Sequence, residues 1–123
     1  MSSKPATDGP ANTVTIGIAD LADVKSRARA AFRGRKQGAH ITFASHDLLM
    51  KTLTPKRWDL LRAMTGLGPT GIRPLARRVE RDVKSVHRDV QAMLKAGLLQ
   101  ATDDGKVEFP WDAIHVDFML KAA

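Results

Sequence analysis

The stretch from residue 72 to residue 97 constrains the fold of this chain more than any other. It contains two short segments of helical periodicity, and residues 80–82 separate them. The apolar residues of the second segment lie within a sector of roughly 100° at about 100° per residue. These are Val83, Val86, Val90, Met93 and Leu94, and the opposite side carries Lys84, Ser85, Arg88 and Lys95. Two short helices joined by a tight turn, with a basic outer face on the second, indicate a helix-turn-helix.

Capping residues predict where the helices of this region begin and end. Thr54-Pro55 predicts the start of a helix that runs to residue 65, and Pro74 is expected to open the next helix. Asp82 is placed to cap the helix after the turn, and Gly97 suits the left-handed end of that helix. Asp104-Gly105, between segments rich in β-formers, predicts a two-residue hairpin turn. Helices followed by a hairpin in this order are typical of a winged helix.

Additional strands are predicted on both sides of this unit. Residues 13–18, 40–44 and 114–120 alternate apolar with other side chains, and Ser45 is placed to cap a short helix after the second strand. Residues 1–12 have almost no apolar residues to bury and are expected to be disordered. A lone strand such as 13–18 needs an edge with which to pair, so we expect it at a dimer contact.

A second basic segment lies near the start of the chain. Asp20 is placed to cap a helix over 20–33, and residues 25–36 hold six basic and no acidic side chains. The candidate residues for a second phosphate contact or a partner surface are Lys25, Arg29, Arg33, Arg35 and Lys36. The alternative is a solvated helix face with no partner.

The charge balance favours a polyanionic partner. The chain of 123 residues has 20 Lys and Arg against 13 Asp and Glu, a net charge of +7. No apolar run approaches the roughly 18 residues that span a bilayer, and no secretory signal is recognisable. Cysteine is absent, so neither disulfides nor a thiolate zinc site are expected. The sequence therefore predicts a cytoplasmic protein without a membrane partner.

The basic helix supplies the candidate DNA contacts. Lys84, Ser85 and Arg88 lie in its first half, which in a helix-turn-helix faces the bases of the major groove. The candidate phosphate contacts are Arg73, Arg77, Arg78, His87, Lys95 and Lys106. For His87 a packed, structural role is the alternative. For Lys106, at the predicted hairpin tip, the neighbouring acids Asp103 and Asp104 weaken the expectation.

Helical periodicity also assigns faces to three charged residues around this helix. Arg57 and Arg81 are expected to face outward. Asp89 is expected to pair with an arginine of the preceding helix and to orient it.

No catalytic or cofactor motif stands out. The glycine-rich segment 66–71 lacks the Gly-Lys-Ser/Thr sequence that ends a phosphate-binding loop. No candidate nucleophile has a general base at a spacing that indicates a catalytic pair. His40 and His46 have no ligand set around them that indicates a metal. Trp58 shares a helix face with Leu61, which favours a core position over base stacking. We therefore expect neither an enzyme nor a cofactor or metal.

Four segments carry a resemblance to a known family: residues 53–61, 75–79, 81–90 and 96–99. The run RDVKSVHRDV at 81–90 is the most specific of them. Over roughly residues 40–120 the chain resembles small prokaryotic winged-helix DNA-binding proteins that are distantly akin to MarR regulators. Among these it is similar to the antitoxins of TumE/TumA-type toxin–antitoxin pairs. The resemblance implies DNA contact by Lys84, Ser85, His87 and Arg88, autorepression as a dimer, and neutralisation of a cognate toxin.

These observations predict a mainly helical α+β chain, a winged helix-turn-helix with extra strands at each end. The expected divisions are a tail (1–12), an arm for dimerisation or partner binding (13–52), the DNA-binding unit (53–110) and a last strand (111–123). The expected function is repression of an operator on double-stranded DNA by a homodimer, as the antitoxin of a type II pair. The alternatives are a regulator without a toxin, and a basic module that binds RNA or an acidic protein.

Overall fold

The computed structural model describes residues 12–19 and 39–119, which form a small α+β fold. Its helices are α1 (His46–Thr52), α2 (Pro55–Met64), α3 (Ile72–Arg78) and α4 (Val83–Lys95). Its strands are β1 (Thr13–Ile18), β2 (Ala39–Phe43), β3 (Gln100–Ala101), β4 (Val107–Glu108) and β5 (Ala113–Asp117). The helix predicted over 20–33 lies outside the described residues. So do its basic candidates Lys25, Arg29, Arg33, Arg35 and Lys36, the predicted tail through residue 11, and residues 120–123.

Side-chain caps begin three of the helices, as the sequence predicts. Ser45 Oγ accepts a hydrogen bond from the Leu48 amide at 3.1 Å, and Thr54 Oγ1 accepts one from the Arg57 amide at 3.4 Å. Asp82 Oδ2 accepts one from the Ser85 amide at 2.9 Å. Each cap satisfies an amide that has no acceptor within its own helix.

The start of α3 differs from the prediction by two residues. The helix begins at Ile72 after Gly71, so Pro74 is its third residue and not its first. A proline is tolerated there because first-turn amides have no acceptor inside the helix, and the missing N–H therefore costs no hydrogen bond.

Helices α3 and α4 both end in a Schellman motif, in which two backbone bonds close the last turn. After α4, the Leu98 amide donates to the Met93 carbonyl at 2.9 Å and Gly97 has a φ of 81°, as predicted. After α3, the Arg81 amide donates to the Ala76 carbonyl at 3.0 Å. The residue in the left-handed position is here Glu80, with a φ of 56°, where glycine is usual.

The strands that flank the helical region form one parallel sheet in the order β2-β1-β5. Val14 pairs with Ala39 on one side and with Ile114 on the other. Strand β1 therefore has both edges paired within its own chain. The expectation that residues 13–18 need a partner subunit's edge was wrong, because β5 supplies that edge from a hundred residues along the chain.

The apolar face of this sheet packs on the helices. Val14 and Ile16 are fully buried, and they share the core with Leu60, Leu75 and Val90. Other buried core residues are Phe43, Leu49, Leu53, Leu61, Met64, Ala76, Val86, Met93, Leu98, Leu99, Val107 and Phe109. Sheet and helices thus have one continuous core, and α4 contributes three fully buried side chains to it.

A small antiparallel hairpin, β3–β4, follows α4. Thr70, between α2 and α3, adds a bridge to its inner strand, and the Thr70 and Val107 amides donate to each other's carbonyls at 2.8 and 2.9 Å. The Thr102 amide donates to the Lys106 carbonyl at 2.8 Å, so three residues form the loop, where the prediction had two. Gly105, with a φ of 80°, takes the left-handed position at the end of such a loop.

Candidate nucleic-acid interface

Helix α4 presents two faces of opposite character. Val86, Val90 and Met93 are fully buried. Lys84, Arg88 and Lys95 are exposed, and they fall within about 40° of one another on the opposite side of the helix. The core holds one face in place, and the cationic ridge of Lys84, Arg88 and Lys95 points into solvent.

Gln91 belongs to the same ridge, and the sequence analysis missed it. The residue is exposed and lies one turn after Arg88, between Arg88 and Lys95 along the helix axis and within about 60° of both around it. The signal in the sequence that could have identified it is its position three residues after Arg88, which places the two side chains on neighbouring turns of the same helix face. A glutamine amide both donates and accepts, which suits it to the edge of an adenine.

The remaining candidates on α4 sit to either side of the ridge. Ser85 is half-buried, and both its amide and its side chain hydrogen-bond to Asp82, which caps the helix. His87 is exposed, so it is not part of the core. Of the predicted base-reading residues, Lys84 and Arg88 therefore have the freest access to a ligand.

An aspartate on the flank of α4 ties the helix to its neighbours. Asp89 Oδ1 accepts from Arg57 Nε at 3.0 Å, and Asp89 Oδ2 accepts from Arg81 Nη2 at 2.7 Å. Arg57 Nη1 also donates to the Thr52 carbonyl at 3.0 Å. The three side chains are only 15–21% exposed. This ion-pair cluster of Arg57, Arg81 and Asp89 fixes the position of α4 against α2 and the turn.

The cluster corrects two sequence expectations. Arg57 and Arg81 were expected to face outward, but both turn in toward Asp89. Asp89 was expected to orient an arginine of the preceding helix. Its partners lie instead in the turn and in the helix before that, 8 and 32 residues away. Sequence periodicity assigns a face to a residue but does not reveal a partner so distant in the chain.

Hydrogen bonds set the ionisation of the two aspartates around α4. Burial of the Asp89 carboxyl raises its pKa, but hydrogen bonds from Arg81 and Arg57 outweigh burial and leave the pKa below its ordinary value of 3.8. The Ser85 amide lowers the pKa of Asp82 in the same sense. Both carboxylates are therefore ionised at neutral pH.

The other predicted phosphate contacts lie on α3 and on the hairpin. Arg73, Arg77 and Arg78 are exposed. Lys106 is 51% exposed, and its Nζ lies 3.8 Å from Asp104 Oδ2. Thr102 donates to the same Asp104, and this hydrogen bond lowers the pKa of that carboxyl. The exposed arginines of α3 are accessible to a ligand. Lys106 would first have to break its contact with Asp104 before it could bind a phosphate.

The described residues contain neither a candidate metal site nor a candidate membrane-spanning helix. Within 12–19 and 39–119, no three His, Asp or Glu side chains are arranged to hold a metal ion. No helix in these ranges has the length and apolar character that crossing a bilayer requires. In this part of the chain, the exposed basic side chains of α3 and α4 are thus the candidate site.

Comparison with known proteins places the chain in a family. No curated protein and no solved structure matches the chain. The sequence profile of the HVO_A0114 family matches residues 52–116. This range includes α2, α3, α4, the hairpin and most of β5, and therefore the cationic ridge and the ion-pair cluster behind it. Since the match spans more than half of the sequence, the chain belongs to the HVO_A0114 family.

Proposed function

We propose that this chain is a winged helix-turn-helix protein that binds double-stranded DNA at a specific sequence and represses transcription. The cationic ridge of α4 carries the proposal. Its cations lie opposite a fully buried face, so the core determines how the helix is presented. The major groove, about 12 Å wide, accepts one α-helix in this way.

The arrangement around α4 supports the winged-helix assignment. Helix α3 packs on α4 and reaches it through a tight turn at Glu80. The hairpin β3–β4 follows α4, and the bridge from Thr70 gives it a third strand between α2 and α3. Helices α2, α3 and α4, this bridge and the hairpin occur in the order expected for a winged helix.

The residues divide into two roles under this proposal. Lys84, Arg88 and Gln91 read base edges, since they occupy the outermost line of α4. Arg88 pairs in bidentate fashion with a guanine, because a guanidinium fork matches guanine O6 and N7. Phosphates are contacted by Arg73, Arg77, Arg78, His87 and Lys95, and Lys106 is a weaker candidate.

Substitution of Arg88 by alanine tests the proposal. Operator sequence is selected from random DNA, and binding is measured by fluorescence anisotropy on the selected site and on a scrambled one. Arg88→Ala should lower affinity for the selected site by about tenfold to a hundredfold, which corresponds to about 1–3 kcal/mol. Affinity for scrambled DNA should fall much less.

Two further variants serve as controls. Arg77→Ala should weaken binding to both DNAs alike and lower the slope of log K against log salt by about one. Arg62→Ala removes a side chain that is 79% exposed on α2, outside the proposed surface, and should change neither affinity. Failure to select any sequence, or a preference that survives Arg88→Ala, contradicts the proposal.

For the biological role we propose an antitoxin that represses its own operon. The resemblance of 81–90 to such antitoxins is the support for this role. Expression together with the adjacent reading frame provides the test. If the chain is an antitoxin, that neighbour arrests growth when expressed alone, and the two products purify together. If the product of the adjacent reading frame does not arrest growth, the result favours a regulator without a toxin. Selection of RNA in place of DNA favours the basic interaction module.

A further inference from the structure

The outer edge of strand β5 is unpaired among the described residues. In the order β2-β1-β5, β1 occupies one side of β5 and no described strand occupies the other. Backbone amides and carbonyls on an open edge form a template for another strand. Soluble proteins usually block such an edge with proline, a bulge or lysine, and Ala113–Asp117 contains no proline or lysine.

The helical region covers the apolar side of this edge only in part: Ile114 packs against the core, and the His46 ring of α1 lies edge-on to Phe118, with 5.3 Å between the ring centroids. Ile114 and Val116 lie on the sheet face that also carries Val14 and Ile16, since these are their register partners on β1. Val14 and Ile16 are fully buried, whereas Val116 is 45% exposed and Phe118, just beyond the strand, is 37% exposed. At the other edge Phe43 is only 6% exposed. Between the two edges of the sheet, the exposed large apolar side chains thus lie at β5, while the exposed Leu48 and Met50 belong to α1.

The sequence of β5 is complementary to itself when two copies run antiparallel. With Val116 opposite Val116 of a second copy, Ile114 lies opposite Phe118 on the same face. On the other face His115 lies opposite Asp117, and the pair occurs twice because the arrangement is symmetric. Each histidine can donate a hydrogen bond to the opposing carboxylate, and polar side chains that pair across two strands stabilise the strand pair. The same operation on β2 brings His40 opposite Thr42, which gives no histidine–carboxylate pair.

We propose that β5 pairs with β5 of a second copy in this register and joins the two sheets into one. The proposal rests on the proposed function in one respect: a repressor that reads two half-sites requires a dimer. A twofold axis normal to the joined sheet keeps both helical units on the same side of it. Both copies of α4 then lie on one side of the dimer, where a single DNA duplex can contact both.

Exchange of the two polar residues tests the pairing and its register. His115→Asp places two aspartates opposite each other at both symmetric positions, and Asp117→His places two histidines opposite each other there. Each single variant should weaken the dimer by about tenfold in analytical ultracentrifugation of the full chain. The double variant with both substitutions restores two His–Asp pairs and should dimerise like the unaltered chain.

A mixture of the two single variants gives the sharpest readout. In the proposed register every Asp of one variant faces a His of the other, so a heterodimer should form where each variant alone is mostly monomeric. A role of these residues in folding alone produces no such rescue. Circular dichroism of each variant checks that the fold is retained.

Cysteine substitution reads the register directly, because the chain has no cysteine of its own. Val116→Cys faces its own copy and should form a disulfide-linked dimer under mild oxidation. Ile114→Cys is the matched control. Its two copies are offset by four residues, about 13 Å along the strands, beyond the reach of a disulfide.

Four outcomes overturn the proposal. Three of them are a monomer at about 100 μM, a dimer that neither single variant weakens, and crosslinking at residue 114 and not at 116. Capture of a different protein by a monomeric chain also overturns it. DNA binding is measured separately. A monomer that still selects a DNA sequence refutes the β5 dimer alone, whereas a dimer that selects none refutes the proposed function alone.

Discussion

Glu80 and Gly97 occupy the same backbone position at the ends of two successive helices. Both stand in the left-handed region, with φ values of 56° and 81°. A residue with a Cβ is disfavoured there by about 1–2 kcal/mol, and glycine is not. Glu80 also places a carboxylate at the negative end of α3. The turn that precedes the proposed recognition helix is therefore less stable than it could be.

Glu80→Gly should raise the free energy of unfolding by about 0.5–1 kcal/mol, because relief of the left-handed strain exceeds the added entropy of the unfolded chain. Urea unfolding followed by circular dichroism measures the change. Glu80→Gln is the matched control, since it removes the charge and keeps the backbone strain. It should raise the free energy of unfolding by less than Glu80→Gly does. A Glu80→Gly variant no more stable than Glu80→Gln shows that charge, and not conformation, is the cost.

At the scale of the element, α4 is held by its apolar face and by the ion-pair cluster. The core fixes its distance from the sheet, and Asp89 joins it to α2 and to the turn. Arg81 Nη1 is buried without an acceptor among the described residues, so Asp89 provides most of the compensation for that guanidinium. Loss of this carboxylate leaves two largely buried arginines without their shared partner.

Asp89→Asn should lower the free energy of unfolding by about 1–3 kcal/mol at neutral pH. The folded-state pKa of Asp89 lies below its ordinary value of 3.8. The stabilisation is therefore complete above about pH 4, and is lost as the pH falls from there through the lower folded-state pKa. The difference between variant and unaltered chain should shrink over that acidic range in urea titrations.

The exposed pair on α2 supplies a control for this prediction. Asp59 is 65% exposed, and Arg62 lies 4.0 Å away. Asp59→Asn should change stability little, because exposed pairs contribute little net free energy. Equal effects of the two substitutions contradict the role of the cluster.

The elements of the helical region could be predicted because their signals are local. Thr54, Asp82 and Gly97 identify ends of α2 and α4 from a few adjacent residues, and the apolar period of α4 gives its buried face. The ridge of Lys84, Arg88 and Lys95 was predictable for the same reason. Arg57 and Arg81 were not, since their inward turn depends on Asp89, which is distant along the chain.

At the scale of the whole molecule, the parallel sheet binds sequence-distant segments together. The strands β1 and β5 were predicted, but their pairing was not, because alternation identifies a strand and not its neighbour. Two hydrogen bonds beside the sheet join the same distant segments. The Asn12 side chain donates to the Pro110 carbonyl at 2.6 Å, and the Asp112 amide donates to the Asn12 carbonyl at 2.7 Å. The sheet thereby couples the start and the end of the described chain.

Gly17 leaves room for the backbone of β5 beside β1. A Cβ added at this residue lies 2.6 Å from the Asp117 carbonyl oxygen, closer than real contacts permit. Gly17→Ala should therefore lower the free energy of unfolding by about 1–3 kcal/mol. Hydrogen exchange of the β5 amides should quicken more than that of α4. Thr15→Ala, on the same face of the strand, is the control, and equal losses of stability contradict a steric cause.

The pairing of β1 with β5 also sets an order of events during protein synthesis. Val14 leaves the ribosome a hundred residues before its partner Ile114, a delay of about 5–20 s at ordinary rates of elongation. During that interval β1 has an open edge, while the signals for α2, α3 and α4 are already translated. A nascent chain stalled before residue 113 would thus present an unpaired β1 edge to chaperones and to its neighbours on the same messenger.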